Sequence, residues 1–215
     1  MLGFTLSREL SFDLSVSPAV AGGAVFSQKM KSEIERRKPV NSKDYLSLAI
    51  TTFGVGYLPL APGTYGSAVG IGIYLLTGSC VSFVEHFVGL HHGSPPSLTA
   101  WIHAIILVVF LLFCLVGVWA AGRATELFGN SDPSQAVVDE VIGQLIVFLF
   151  VPFGIGWPLI VAGFLIFRLF DIWKPYPIDS LQNLPGGIGV CADDILAGVY
   201  AGICLAVIYA ISLSV

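Results

Sequence analysis

Residues 101–121, WIHAIILVVFLLFCLVGVWAA, carry no Asp, Glu, Lys or Arg over 21 positions. As an α-helix this run is about 31 Å long, enough to cross a hydrocarbon core about 30 Å thick. The alternative, a buried core helix of a soluble protein, is weakest for a run with no charge at all, so the stretch predicts a transmembrane helix. Residues 195–215, ILAGVYAGICLAVIYAISLSV, are equally long and predict a second span. A third is expected from about residue 67 to 90, with Glu85 and His86 near its far end.

The stretch 141–167 is apolar too, but Pro152, Gly154, Gly156 and Pro158 interrupt it. Each arm has roughly a dozen residues, about 18 Å at helical rise, too short to cross. It predicts a helical hairpin that enters the membrane and returns. The expected fold is all-α: a polytopic membrane helical bundle with a short re-entrant helical hairpin.

Composition agrees. Charged residues make up 11% of the 215, against about 25% in soluble domains. Ten Lys plus Arg face fourteen Asp plus Glu, so no basic excess exists to bind nucleic acid. Cys80, Cys114, Cys191 and Cys204 are far apart and suggest neither a disulfide framework nor a zinc site.

The charges divide the chain. Residues 1–44 hold seven basic and five acidic residues, whereas residues 45–215 hold only three basic ones, Arg123, Arg168 and Lys174. The expected organisation is a poorly ordered basic and polar arm, 1–44, with a short basic helix near 28–38, then a membrane-embedded domain, 45–215. The weakly apolar stretch 14–26 contains Pro18 and lacks a positive flank, which counts against a signal peptide. The positive residues set the orientation. The arm, Arg123, Arg168 and Lys174 are expected in the cytoplasm, and the loop 91–100, without Lys or Arg, outside.

Four polar segments break the apolar pattern, all on the expected cytoplasmic side. Residues 58–67 read L-P-L-A-P-G-T-Y-G-S. Their prolines and glycines are expected to stop any helix before Ser67, which can cap the third span. Gly63, Thr64, Gly66 and Ser67 offer amides and hydroxyls to an anion, or simply form a turn.

Residues 131–143 read S-D-P-S-Q-A-V-V-D-E-V-I-G. Asp132, Pro133 and Gln135 suit the N-cap, first and third positions of a helix. Asp139 and Glu140 follow two turns later, at the mouth of the hairpin. Adjacent carboxylates about to enter lipid need a cationic partner, and a metal ion is the simplest one.

Residues 167–178, F-R-L-F-D-I-W-K-P-Y-P-I, place Arg168, Asp171 and Lys174 on one helical face, ended by Pro175. A local ladder of ion pairs would use the same spacing. Trp173 and Tyr176 fit an interfacial belt. Residues 186–198, G-G-I-G-V-C-A-D-D-I-L-A-G, are expected to turn on glycines and open the last span with Asp193 and Asp194. A helix start favours acids, but that does not explain two acidic pairs in one small membrane protein.

Five carboxylates and two cations on one membrane face suit a hard divalent ion and a phosphate. His86, His91, His92 and His103 fall on or near the expected outer side and are left out. No aspartyl-phosphatase D-x-D-x-T, C-x₅-R, P-loop or H-E-x-x-H motif occurs. The chemistry expected is metal-assisted, with water as nucleophile.

At these four segments the sequence resembles the phosphatidylglycerophosphatase A family, over roughly 45–215. The resemblance implies removal of the terminal phosphate of phosphatidylglycerophosphate, a membrane lipid substrate. It also implies Mg²⁺ as cofactor and a location at the cytoplasmic face of the bacterial inner membrane. Carried over, it makes Asp139, Glu140, Asp171, Asp193 and Asp194 candidate metal ligands or bases. Arg168 and Lys174 would hold phosphate, with Gly63 and Thr64 shaping the cradle. Cys191 and Ala192 depart from the larger apolar residues expected there, and both the arm and the loop 84–100 are long for the family. The alternative reading is a small cation transporter or channel with the acidic pairs as ion ligands.

Overall fold

The structure is a computed structural model that describes residues 35–92 and 96–214. Its helices are α1 (Ser42–Thr52), α2 (Pro62–His92), α3 (Pro96–Phe128), α4 (Val138–Phe148), α5 (Trp157–Trp173), α6 (Ile178–Leu181) and α7 (Gly186–Ser212), with a 3₁₀ turn at Val55–Tyr57. There is no strand among the described residues. The all-α class is as expected.

Three helices are long and apolar enough to cross a membrane: Pro62–Gly89, Ser97–Phe128 and Gly186–Ser212. At most 28% of the apolar window of each is buried inside the chain. Such surface would be untenable in water and is natural in lipid.

The short helix α4 forms the centre. Val138, Val141, Ile142, Gly143, Gln144, Ile146, Val147 and Phe148 are all buried, and α2, α3, α5 and α7 surround it. Its polar residues, Asp139, Glu140 and Gln144, are buried or half-buried along with its apolar ones. Without a hydrophobic force between helices in lipid, close approach depends on small residues. One close crossing joins α4 to α7, where a Cβ on Gly198 would overlap the carbonyl oxygen of Gly143. Gly198→Ala is therefore expected to destabilise the protein by about 1–3 kcal/mol, read as a lower melting temperature in detergent. Unchanged melting would show that the crossing can loosen.

Helices α4 and α5 form the expected hairpin, but its arms are unequal. The α4 arm has 11 residues and α5 has 17, about 16 and 25 Å. Helix α5 is longer because it has an exposed apolar face, Trp157, Val161, Leu165, Leu169 and Trp173, every fourth residue. At the tip, the Tyr74 hydroxyl donates to the Pro152 carbonyl at 3.2 Å. Gly78 of α2 packs on Phe153 at this level. It lies fifteen residues beyond Gly63, about 22 Å at helical rise and short of a full crossing.

Residues 1–34 of the expected arm, and residues 28–34 of its expected helix, lie outside the described residues. Residues 35–40 are not helical, so the short helix does not extend to 38. The end of the arm is folded instead. Asp44, fully buried, accepts from Arg37 Nη1 and Nη2 at 3.1 and 2.9 Å and from Arg123 Nε of α3 at 2.7 Å. It also accepts from the Val40 and Asn41 amides. These donors, Arg37 foremost, hold its pKa well below the usual carboxylate range.

Candidate active site

The structure starts three helices at places other than those expected, and each difference builds the site. Helix α4 begins at Val138, not near Pro133. The Val137 amide donates to the Thr51 carbonyl of α1 at 2.9 Å, and a Cβ on Gly56 would overlap the Gln135 carbonyl. Residues before Val138 are thus tied to another part of the chain, and the N-cap of α4 is Val137 rather than Asp132. Asp139 and Glu140 fall in the first turn of α4, where the helix dipole favours anions.

Helix α2 begins at Pro62, so the helix is not stopped before Ser67. Proline is pre-set for the first helical position. The following glycines serve packing: a Cβ on Gly63 would overlap the Glu140 carboxylate, and one on Gly66 would come within 2.9 Å of Val137 Cβ. Ser67 lies inside the helix and donates to the Gly63 carbonyl at 2.9 Å. The Thr64 amide donates to Ala61 at 3.0 Å, so it is spent within the turn rather than offered to an anion.

Helix α7 begins at Gly186, not at Asp193. Gly187 and Gly189 sit against the carbonyls of Val118 and Leu184, where no side chain fits. Asp193 and Asp194 therefore lie about two turns inside α7. The field of a helix end fades beyond its first turn, so it does not account for this pair.

Side-chain oxygens of Asp139, Glu140 and Asp194 lie within 4.8 Å of one another. Asp139 Oδ1 and Glu140 Oε2 are buried and accept no hydrogen bond. Buried, unsatisfied carboxylate oxygens are costly, and an all-oxygen set of this size fits a hard divalent cation. Asp171 and Asp193 stand beside this trio, each with a cation. Arg168 Nη1 is 2.5 Å from Asp171 Oδ2, an ion pair without hydrogen-bond alignment. Lys174 Nζ donates to Asp193 Oδ2 at 2.6 Å and is 3.9 Å from Asp171. The ladder expected from the spacing is therefore present, and it borders the trio.

Lys174 ends α5 in a left-handed conformation at φ 45°, just before Pro175. Partial burial alone would lower its pKa, but Asp193, then Asp194 and Asp171, outweigh burial and raise it. Its ammonium thus stays charged. A Cβ on Gly63 would also come within 2.9 Å of Arg168 Nη1. The start of α2, the start of α4 and the end of α5 therefore meet at one point, with α7 closing the trio. His103 lies near the other end of α3, its Nδ1 2.8 Å from the Thr99 carbonyl. The side chains of His91 and His92 lie outside the described residues.

Sequence reasoning missed two features. Gln144 is fully buried one turn beyond Glu140, with neither amide atom hydrogen-bonded. An amide inside the apolar run VIGQLIV was the available signal. The other is Asp44, which read as one more charge in a polar arm.

Clustered carboxylates with Arg168 and Lys174 at the end of long apolar helices fit a lipid phosphatase, a membrane-embedded hydrolase. Residues 48–209 match the phosphatidylglycerophosphatase A family, and the chain belongs to it. It is 36% identical over 148 residues to phosphatidylglycerophosphatase A of Escherichia coli K12, covering 68% of this chain and 73% of that one. It is 32% identical over 168 residues to phosphatidylglycerophosphatase A of Haemophilus influenzae, covering 76% and 88%. A Bacteroides thetaiotaomicron protein provisionally named a phosphatidylinositol-3-phosphatase is 38% identical over 158 residues, covering 73% and 89%. No solved structure is significantly similar.

Proposed function

We propose that this chain hydrolyses the terminal phosphate of phosphatidylglycerophosphate, with Mg²⁺, at the cytoplasmic face of a bacterial inner membrane. The observation that carries the reading is the trio Asp139, Glu140 and Asp194, within 4.8 Å, beside Arg168 and Lys174. The headgroup follows the family and its two phosphatidylglycerophosphatase A relatives. The orientation follows the Lys and Arg distribution.

Asp139, Glu140 and Asp194 hold the cation, which when bound supplies positive charge to the phosphoryl oxygens and acidifies water. Asp171 and Asp193 hold Arg168 and Lys174 in place and add to the acidic shell. The two cations neutralise the phosphate oxygens as charge builds on them. Gly63, lacking a side chain, lets Glu140 and Arg168 pack against the start of α2, and Thr64 flanks it. Water adds to phosphorus in line as the bond to the glycerol oxygen breaks. A carboxylate of the trio takes a proton from the water and passes it to the glycerol oxygen, which leaves as an alcohol. The acyl chains stay in the bilayer throughout.

The test is phosphate release by the purified protein from phosphatidylglycerophosphate, with Mg²⁺, with EDTA, and with Mg²⁺ restored. Release that EDTA abolishes and Mg²⁺ restores supports the reading. Equal release in all three, or none, overturns it. Phosphatidylinositol-3-phosphate run in parallel decides between the headgroups named for the relatives; preferential turnover of that lipid would overturn the choice made here.

A further inference from the structure

Residues 57–61, Tyr-Leu-Pro-Leu-Ala, are five consecutive exposed positions without a charge. They form no long helix and no part of a membrane span. Leu60 is 97% exposed and holds a left-handed φ of 84°, a conformation that L side chains rarely adopt. A folded chain keeps such a residue only where something over-determines it. No packing within the described residues does so, because nearly all of the leucine surface is free. An exposed apolar run of this kind points to a partner outside the packed core.

The place of the run identifies the partner. Leu60 lies two residues before α2, whose apolar span begins at Pro62, and three before Gly63, which abuts Glu140 and Arg168. Other exposed rings occupy the same end: Tyr65 in the first turns of α2, Trp173 at the end of α5, the helix that carries Arg168, and Tyr176 in the turn after it. Tyrosines and tryptophans at helix ends favour the level of lipid headgroups. With the starts of α2 and α4 and the end of α5 meeting at the site, this collar borders the side from which a headgroup can arrive.

We propose that residues 57–61 form a wedge seated in the apolar boundary of the leaflet next to the site, with Leu60 at its tip, and that this contact draws the phospholipid headgroup to the carboxylates. The first half concerns lipid contact alone. The second rests on the lipid-phosphatase reading above.

Two experiments test it. A benzophenone amino acid placed at position 60 of the full chain in phosphatidylglycerol-containing vesicles is expected to cross-link to phospholipid, seen as the mass of a lipid adduct. An adduct to residues 1–34 of the chain, or no lipid adduct, would overturn the wedge whatever the activity. In the second, Leu60→Asp is expected to lower kcat/KM about tenfold on long-chain phosphatidylglycerophosphate in vesicles. Turnover of a water-soluble short-chain analogue should stay at the wild-type level. Leu60→Gly, which suits the left-handed φ, should show the same split while melting no lower than wild type. Equal loss on both substrates, or on neither, would overturn the guiding role. Absence of all activity in the wild-type protein would instead count against the phosphatase reading and leave the cross-link to decide lipid contact.

Discussion

Asp194→Asn is expected to cut phosphate release about a thousandfold or more, equivalent to about 4 kcal/mol of transition-state stabilisation. The metal-free protein should stay at least as stable as wild type. Both halves come from the same geometry. Asp194 shares a space of 4.8 Å with Asp139 and Glu140, and neither aspartate of the trio is paired with a Lys or Arg among the described residues. Asparagine keeps the shape and removes one of three crowded acidic groups, which relieves their crowding when no cation is bound. It also weakens the oxygen set that would hold a cation. Wild-type protein should gain melting temperature on adding Mg²⁺, as any protein does with a ligand that binds only the folded state. Asp194→Asn should lose most of that gain. The neighbouring Asp193→Asn should differ in kind. Asp193 pairs with Lys174 at 2.6 Å, so its loss leaves a partly buried ammonium with only the longer contact to Asp171. A lower melting temperature, a smaller loss of activity, on the order of tenfold, and a retained Mg²⁺ shift are expected there. Phosphate release and thermal unfolding in detergent, each with and without Mg²⁺, read both variants. Wild-type activity in Asp194→Asn, or indistinguishable profiles for the two variants, would refute the assignment of the trio.

Most of this architecture is legible because lipid imposes a severe constraint. Long uncharged runs have few fates, so the spans at 101–121 and 195–215 can be read without tertiary information. The hairpin is legible from Pro152, Gly154, Gly156 and Pro158 and from arms too short to cross. The convergence of four polar segments follows from topology: once the hairpin returns, all fall at one end. Helix starts were not legible. Gly63, Gly66 and Gly187 have the composition of turns, yet each lies in a helix where a neighbouring element crowds the place of a Cβ. Glycine marks both turns and close crossings, and only the partner helix decides which. The start of α4 depends on a bond from Val137 to Thr51, 86 positions earlier in the chain. Local capping signals at Asp132 and Pro133 cannot reveal such a partner.

That bond gives Asp44 an influence that its place in a polar stretch conceals. Asp44→Ala is expected to lower the melting temperature on the order of 10 °C, and to reduce the turnover of the protein that remains folded. Five donors converge on this carboxylate: three nitrogens of Arg37 and Arg123, and the amides of Val40 and Asn41. Without it α1 loses its ion pair to Arg123 of α3 and the acceptor for two amides at its own start. Arg37 and Arg123 are each partly exposed, so water can take up much of their charge. The loss should therefore come mainly from the detachment of α1. Detachment would release Thr51 from Val137, the residue that caps α4, and so disturb Asp139 and Glu140 one and two residues beyond Val138. Asp44→Asn, which keeps one acceptor oxygen, should fall between wild type and alanine on both measures. The same carboxylate sets an acid limit. Its pKa is lower folded than the ordinary value near 3.9 of an unfolded chain. Its contribution is thus complete at neutral pH and lost as pH falls below about 4 towards the folded pKa. Wild type should show a loss of melting temperature in that window that Asp44→Ala lacks. Parallel acid profiles for the two proteins, or full activity per folded molecule in Asp44→Ala, would show that α1 does not hold the start of α4 through this residue.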